Sequence, residues 1–269
     1  MEPIFSIILP TFNRAYVLWK AVQSVIAQTE PRWELIVVND GSTDCTLRLL
    51  EEFHDARIRA LTVANRGPSA ARNRGTEIAQ APYIAYLDSD NTWHTNFLEI
   101  MLESIEKDSE NVLWYCGQHT TMWERTGEGR WALISQSKTA RAQYSYQDVW
   151  RLAGPDTSCM VHRREVLDEV GSWDEQCRWI EDWDLFVRVF LRYQGRVKWV
   201  PHILAEYRQV HGEGADGICA QARESRDDEI GGRRYLLQKW RDHPDFAAAD
   251  RLSGRADDLE RVRAEPCKA

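Results

Sequence analysis

No apolar run in this chain approaches the roughly 18–20 residues that a membrane-spanning helix needs. Nor is there a basic surplus: the formal net charge is −8, which argues against non-specific nucleic-acid binding through Lys and Arg. The cysteines, Cys45, Cys116, Cys159, Cys177, Cys219 and Cys267, are scattered, with no Cys-x-x-Cys pair and no zinc-type spacing. That spacing excludes a zinc ribbon, and free thiols in a reducing cytoplasm are expected rather than a disulfide framework. Two phosphate signatures are missing as well. No Gly-x-Gly-x-x-Gly follows the first apolar run, and no Gly-Lys-Ser/Thr loop occurs. Met1-Glu2-Pro3 carries no basic lead and the apolar run at 4–10 is too short for a secretion signal, so a first strand is expected there.

What is present suits one large core: 269 residues, of which 43% are hydrophobic. Twelve tryptophans supply flat apolar faces with one polar handle, useful in cores and against sugar rings alike. Buried-type strands are expected at Ile4–Leu9, Trp33–Val38, Arg57–Val63 and Ala81–Leu87. Between them fall a helix at 14–27, a helix carrying Leu47, Leu49 and Leu50 with Ser42 or Asp44 as N-cap, and a helix at Pro68–Ala79. Such alternation predicts an α/β fold with a mainly parallel sheet covered by helices. In these sheets ligands bind beyond the carboxyl ends of the strands.

After Asn91 the alternation breaks down. The pattern predicts a helix near 94–107, a strand at 111–122, a Gly-containing turn at 126–129 and a strand at Trp131–Ile134. Residues 136–156 are polar and are expected to include a mobile loop. A strand at Thr157–His162, a helix at 181–193, two short strands at Val197–Val200 and Ile203–Tyr207, and a helix at 229–240 follow.

Polar clusters close three of the predicted strands: Pro10-Thr11, Asn39-Asp40 and Asp88-Ser89-Asp90. Asp88 and Asp90 offer paired oxygen ligands of the kind that suit Mg²⁺ or Mn²⁺, and such a cation bridges to phosphate. Asp40 could accept a hydrogen bond from a base imide, or simply form the turn before Gly41. Arg72, in the helix after Gly67-Pro68, could pair with Asp40 or a diphosphate, or lie on a solvated face. A second acidic cluster, Glu181-Asp182-Trp183-Asp184, opens an amphipathic helix. First-turn acids are favoured by the helix dipole alone, but three acids between tryptophans exceed that need. A carboxylate in such an apolar cleft is a candidate general base, with Asp182 chosen and Glu181 orienting its neighbours. His211, after the last predicted strand, is a candidate third metal ligand or phosphate contact.

In this order the motifs resemble the family 2 glycosyltransferases of the GT-A fold. The resemblance covers about residues 4–211 and is carried by Ser6–Arg14, Val37–Asp44, Gly67–Gly75, Asp88-Ser89-Asp90 and Glu181–Asp184. It implies a Rossmann-like sheet with a smaller mixed acceptor-side subdomain. It divides the chain into a nucleotide-sugar-binding half (1–92), an acceptor-binding and catalytic half (93–212) and a helical C-terminal extension (213–269). It implies a nucleotide-diphosphate-sugar donor, most often a UDP-sugar, and a divalent cation. Donor contacts then fall on Pro10, Thr11, Asn13, Arg14, Asp40, Arg72, Asp88 and Ser89. The metal falls to Asp90, Asp88 and His211, although Gly212-Glu213-Gly214 departs from the family's Gly-Gly-Ser. Asp182 becomes the base of an inverting transfer.

The acceptor, whether glycan, lipid-linked sugar or small molecule, is not encoded in any readable motif. A cytoplasmic place, at or near a membrane surface, and a homodimer are compatible with this reading. Its rivals are a non-catalytic glycan-binding module of the same fold, a retaining enzyme of that fold, and a nucleotidyltransferase. The last expects a Gly-rich triphosphate loop that Pro10–Arg14 is not.

Overall fold

The computed structural model describes residues 1–125, 131–139, 143–150, 154–211, 226–244 and 246. Strands β1 (Phe5–Thr11), β2 (Trp33–Asn39), β3 (Ile58–Thr62) and β4 (Tyr83–Tyr86) are joined by helices α1 (Ala15–Ile26), α2 (Thr46–Glu51) and α3 (Pro68–Glu77). The strands pair parallel in the order β3-β2-β1-β4. Every residue of β1 and β2 is buried because helices cover both sheet faces. Ile8, Ile36 and Val38 pack towards Ala71 of α3. Ile7, Leu9, Leu35 and Val37 pack towards Leu18, Ala21, Val22 and Val25 of α1. Gly75 sets the height of α3 above the sheet, since a Cβ there would stand 2.5 Å from Ile8 Cγ2.

The sheet continues as β4-β8-β6-β9-β5, with β7 paired to β6, giving nine strands among the described residues. These elements are β5 (Thr92–Trp93), α4 (Phe97–Lys107), β6 (Leu113–Arg125), β7 (Trp131–Thr139) and α5 (Tyr146–Val149). Then come β8 (Met160–Arg163), α6 (Val166–Val170), α7 (Glu181–Arg192), β9 (Val197–His211) and α8 (Arg226–Trp240). Pairing here is mixed: β8 runs antiparallel to β4 and β6, whereas β6 and β9 are parallel. No helix among the described residues is long and apolar enough to cross a membrane.

The structure departs from the sequence reading in several places. Of the strand expected at Thr157–His162, Thr157–Cys159 forms a 3-10 turn instead, because Asp156 caps the Ser158 amide, and β8 begins only at Met160. Helix α6 had no counterpart in the sequence reading. The two short strands expected at 197–207 are one strand, β9. Pro201 looks like a break, but the ladder to β6 absorbs it by shifting register between Tyr115↔Trp199 and Gly117↔Ile203. Strand β7 runs past Ile134 to Thr139, because pairing with β6 satisfies its backbone although Ser135–Thr139 is mostly polar. Within the expected loop at 136–156, α5 forms behind a capping box of Ser145 and Asp148. The N-cap of α2 is Cys45, while Asp44 accepts from the amides of Thr46 (2.9 Å) and Ala15 (3.1 Å), linking α2 to α1. The turn at 126–129 lies outside the described residues.

Candidate active site

Strand order places the acids. With β1 between β2 and β4, Asp40 and Asp88 emerge on either side of Thr11. Pro10 lies within β1, paired with Val38. Thr11 is buried and its Oγ1 has no hydrogen-bond partner among the described residues; Ser69 Oγ, in the first turn of α3, is likewise buried and without a partner among them. Buried hydroxyls left without partners are rare and mark places where a ligand can complete the bonding. Asn13 adopts a left-handed turn (φ 53°) and its Oδ1 accepts from the amides of Thr43 (2.8 Å) and Asp44 (3.3 Å). Its side chain therefore shapes the rim of the crevice.

Asp40 is buried and accepts from the backbone amides of Arg66 (3.0 Å) and Gly67 (2.8 Å), fixing the entry to α3. A carboxylate has about four acceptor sites, so these two bonds leave room for a base N–H. Arg72 does not reach Asp40. Its Nη2 donates to Asp88 Oδ1 (2.7 Å) and its Nη1 to Glu181 Oε1 (2.7 Å), with the guanidinium 4.6 Å from the Trp173 ring. Arg72 is only 3% exposed, so it is no solvated helix residue. Burial works against its charge, but the two carboxylates outweigh it and hold the cation more firmly than usual.

The acidic turn is held from below. Ser158 Oγ accepts from the Asp88 amide (3.3 Å) and from Asn91 Nδ2 (2.9 Å), and Asn91 Oδ1 accepts from the Arg208 amide (3.1 Å). Ser89 is buried beside them. Burial, and then the charge of Asp88, push the Asp90 carboxyl up to about 6, while Arg14 and Arg208 favour its ionised form. His211 ends β9, but its side chain lies outside the described residues. Among the described residues no three His, Cys, Asp or Glu side chains group as a ready-made metal cage.

Glu181 and Asp182 open α7 directly after Ile180, a β-branched residue held left-handed at φ 51° and ψ 39°. A pocket of about 200 Å³ lies against Asp182. Asp156, Asp182, Gln118, Thr139, Ile180 and Trp183 are among the residues lining it. Burial, then Glu181 and Asp156, raise the Asp182 carboxyl to about 8. Burial, then Asp88, raise Asp156 to about 7. Asp156 escaped the sequence reading. It sits in a polar stretch without periodicity, and its one local signal is the N-cap bond it accepts from the Ser158 amide (2.9 Å).

Residues 6–171 match the profile of Glycosyl transferase family 2. This chain belongs to glycosyl transferase family 2. Among its relatives in the family is WfgD of Escherichia coli, named as a UDP-Glc:alpha-D-GlcNAc-diphosphoundecaprenol beta-1,3-glucosyltransferase. The two are 36% identical over 112 residues, 41% of this chain and 44% of WfgD. Across three curated relatives, this family 2 member spans 42 to 62% of their length. Its GT-A-like fold resembles that of residues 1–349 of S. aureus TarS, with a TM-score of 0.64 at 16% identity, covering 95% of this chain and 73% of that one. A further likeness of fold is to the mannosyltransferase PcManGT from Pyrobaculum calidifontis, solved with GDP-Man and Mn²⁺. That match has a TM-score of 0.60 at 16% identity and covers 88% of this chain and 65% of that one.

Proposed function

We propose that this chain transfers a sugar from a nucleotide-diphosphate donor, most simply a UDP-sugar, to an acceptor hydroxyl with inversion, using Asp182 as general base. One observation carries the reading. Arg72 joins Asp88 to Glu181, so the acidic turn after β4 and the acidic start of α7 form the two sides of one crevice. The name of WfgD specifies a UDP-sugar donor, and a TarS structure was solved with UDP-GlcNAc.

Thr11, Ser69 and Asp40 lie where a nucleoside would meet the strand ends, two of them with hydroxyls that have no partner among the described residues. Asp90, with Asp88, suits a divalent cation, Mn²⁺ or Mg²⁺. The donors are hard oxygens, and a nearby cation would relieve the burial and repulsion that keep Asp90 hard to ionise. Two carboxylates suffice for a cation that completes its coordination with phosphate and water. When bound, such a cation neutralises charge on a departing diphosphate. Asp182, raised by burial and by the neighbouring charges of Glu181 and Asp156, is poised to take the proton of an acceptor hydroxyl near neutral pH. Acceptor and base would meet in the pocket, whose size suits one sugar ring rather than a long chain.

Asp182→Asn tests the reading. UDP binding with Mn²⁺, measured by calorimetry, should persist while transfer falls by about 10²–10⁴-fold. Near-normal transfer would sink it.

A further inference from the structure

Helix α8 lies outside the matched residues 6–171 and has no part in the roles above, yet it is tied to the segment that delivers Asp182. Asp174 and Asp184 bracket that segment. Lys239 Nζ donates to Asp174 Oδ2 (2.6 Å) and to Asp184 Oδ2 (2.9 Å). Tyr235 adds a bond to Asp174 (2.7 Å) and Trp240 Nε1 one to Asp184 (3.0 Å). Asp184 is 0% exposed and also accepts from Arg188 (2.9 Å), so its charge is compensated wholly within the protein. In the middle of the segment, Gly232 approaches so closely that a Cβ there would stand 2.4 Å from Trp179 Cβ. Trp240 stands edge-on to the pocket residue Trp183, with ring centroids 6.3 Å apart.

Between these fixed points lies Ile180 in its left-handed conformation. A β-branched residue takes that conformation at a cost, and keeps it only where its surroundings over-determine it. We propose that α8 supplies this constraint, with Lys239 as a positioning residue. By joining Asp174 to Asp184 it holds Ile180-Glu181-Asp182 in the geometry that turns Asp182 into the pocket. The inference rests on Asp182 being the base. It gives helix α8 a part in turnover that donor binding does not need.

The test compares wild type, Lys239→Ala, Lys239→Arg, Gly232→Val and Asp182→Asn as full chains. Three quantities are read: UDP affinity with Mn²⁺, UDP release from UDP-glucose and UDP-GlcNAc, and amide exchange over residues 179–184. Lys239→Ala should leave UDP affinity unchanged, speed exchange over 179–184 and lower UDP release by about 10–100-fold, as a small misplacement of a reacting group does. Lys239→Arg should restore most of the release. Gly232→Val, a wedge against Trp179 that removes no charged group, should reproduce the loss. Exchange and release both at wild-type level in Lys239→Ala would overturn the inference if Asp182→Asn abolishes release. UDP affinity falling in step with release would also overturn it, as the mark of general unfolding. Release intact in Asp182→Asn would instead overturn the assignment of the base, and with it any role of α8 in positioning one.

Discussion

Arg72 donates to Glu181 at 2.7 Å across 109 positions of chain, and its other terminal nitrogen holds Asp88 at the same distance. Truncating one partner of such a buried network leaves charges uncompensated, which costs about 3–5 kcal/mol. Arg72→Met should therefore lower unfolding stability in urea by that order and abolish transfer. Arg72→Lys cannot bridge two carboxylates with a planar fork and should recover only part of either property.

The acid limb of kcat/KM should fall near pH 7–8 rather than 4, because Asp182 and Asp156 face one pocket and are both raised by burial and like charge. Asp156→Asn removes one of those charges. Its limb should move down by on the order of one pH unit, which a pH–rate profile of both proteins would reveal. A limb that stays in place would separate Asp156 from the titration of the base.

The same carboxyls predict an inverse pH dependence of stability. Asp90, Asp156 and Asp182 are raised in the folded state, so the folded chain binds more protons than the unfolded one between about pH 4 and 8. Their contribution is fully present at the acid end of that window and is lost as pH rises through about 6, 7 and 8. At pH 8.5 the Asp182→Asn variant should melt a few degrees above wild type without added metal, and the gap should close towards about pH 5. Differential scanning calorimetry at the two pH values measures it.

Asp90→Ala addresses the cation. Mn²⁺ should tighten UDP binding to wild type, whereas UDP binding to the variant should no longer respond to Mn²⁺. Paired calorimetric titrations with and without Mn²⁺ suffice.

Gly75→Ala separates packing from chemistry. Its new methyl would meet Ile8 Cγ2 at 2.5 Å, so α3 must lift from β1. Overpacking of this kind costs about 1–3 kcal/mol. Because α3 also carries Arg72, transfer should decline together with the denaturation midpoint.

Several strands and helices were readable in advance because burial on both faces writes near-continuous apolar runs such as Ile7-Ile8-Leu9 and Ile36-Val37-Val38. Strand ends were readable too, since acids and turn residues stop those runs at Asp40 and at Asp88. What local pattern could not convey was β9 crossing Pro201, or β7 continuing through polar residues. In both, a neighbouring strand rather than composition decides whether the backbone stays extended.

The same division holds at the site. By itself the sequence determined family, strand–helix order as far as β4, and the positions of Asp40, Asp88, Asp90 and Asp182 in the chain, because these depend on short-range pattern. Only the tertiary structure decided that Arg72 pairs with Asp88 and Glu181 instead of Asp40. Only it brought Asp156 from an unpatterned stretch to the pocket wall facing Asp182, and set Lys239 against Asp184. Pairing and desolvation act between segments far apart in the chain, so they exist only once topology has made those segments neighbours.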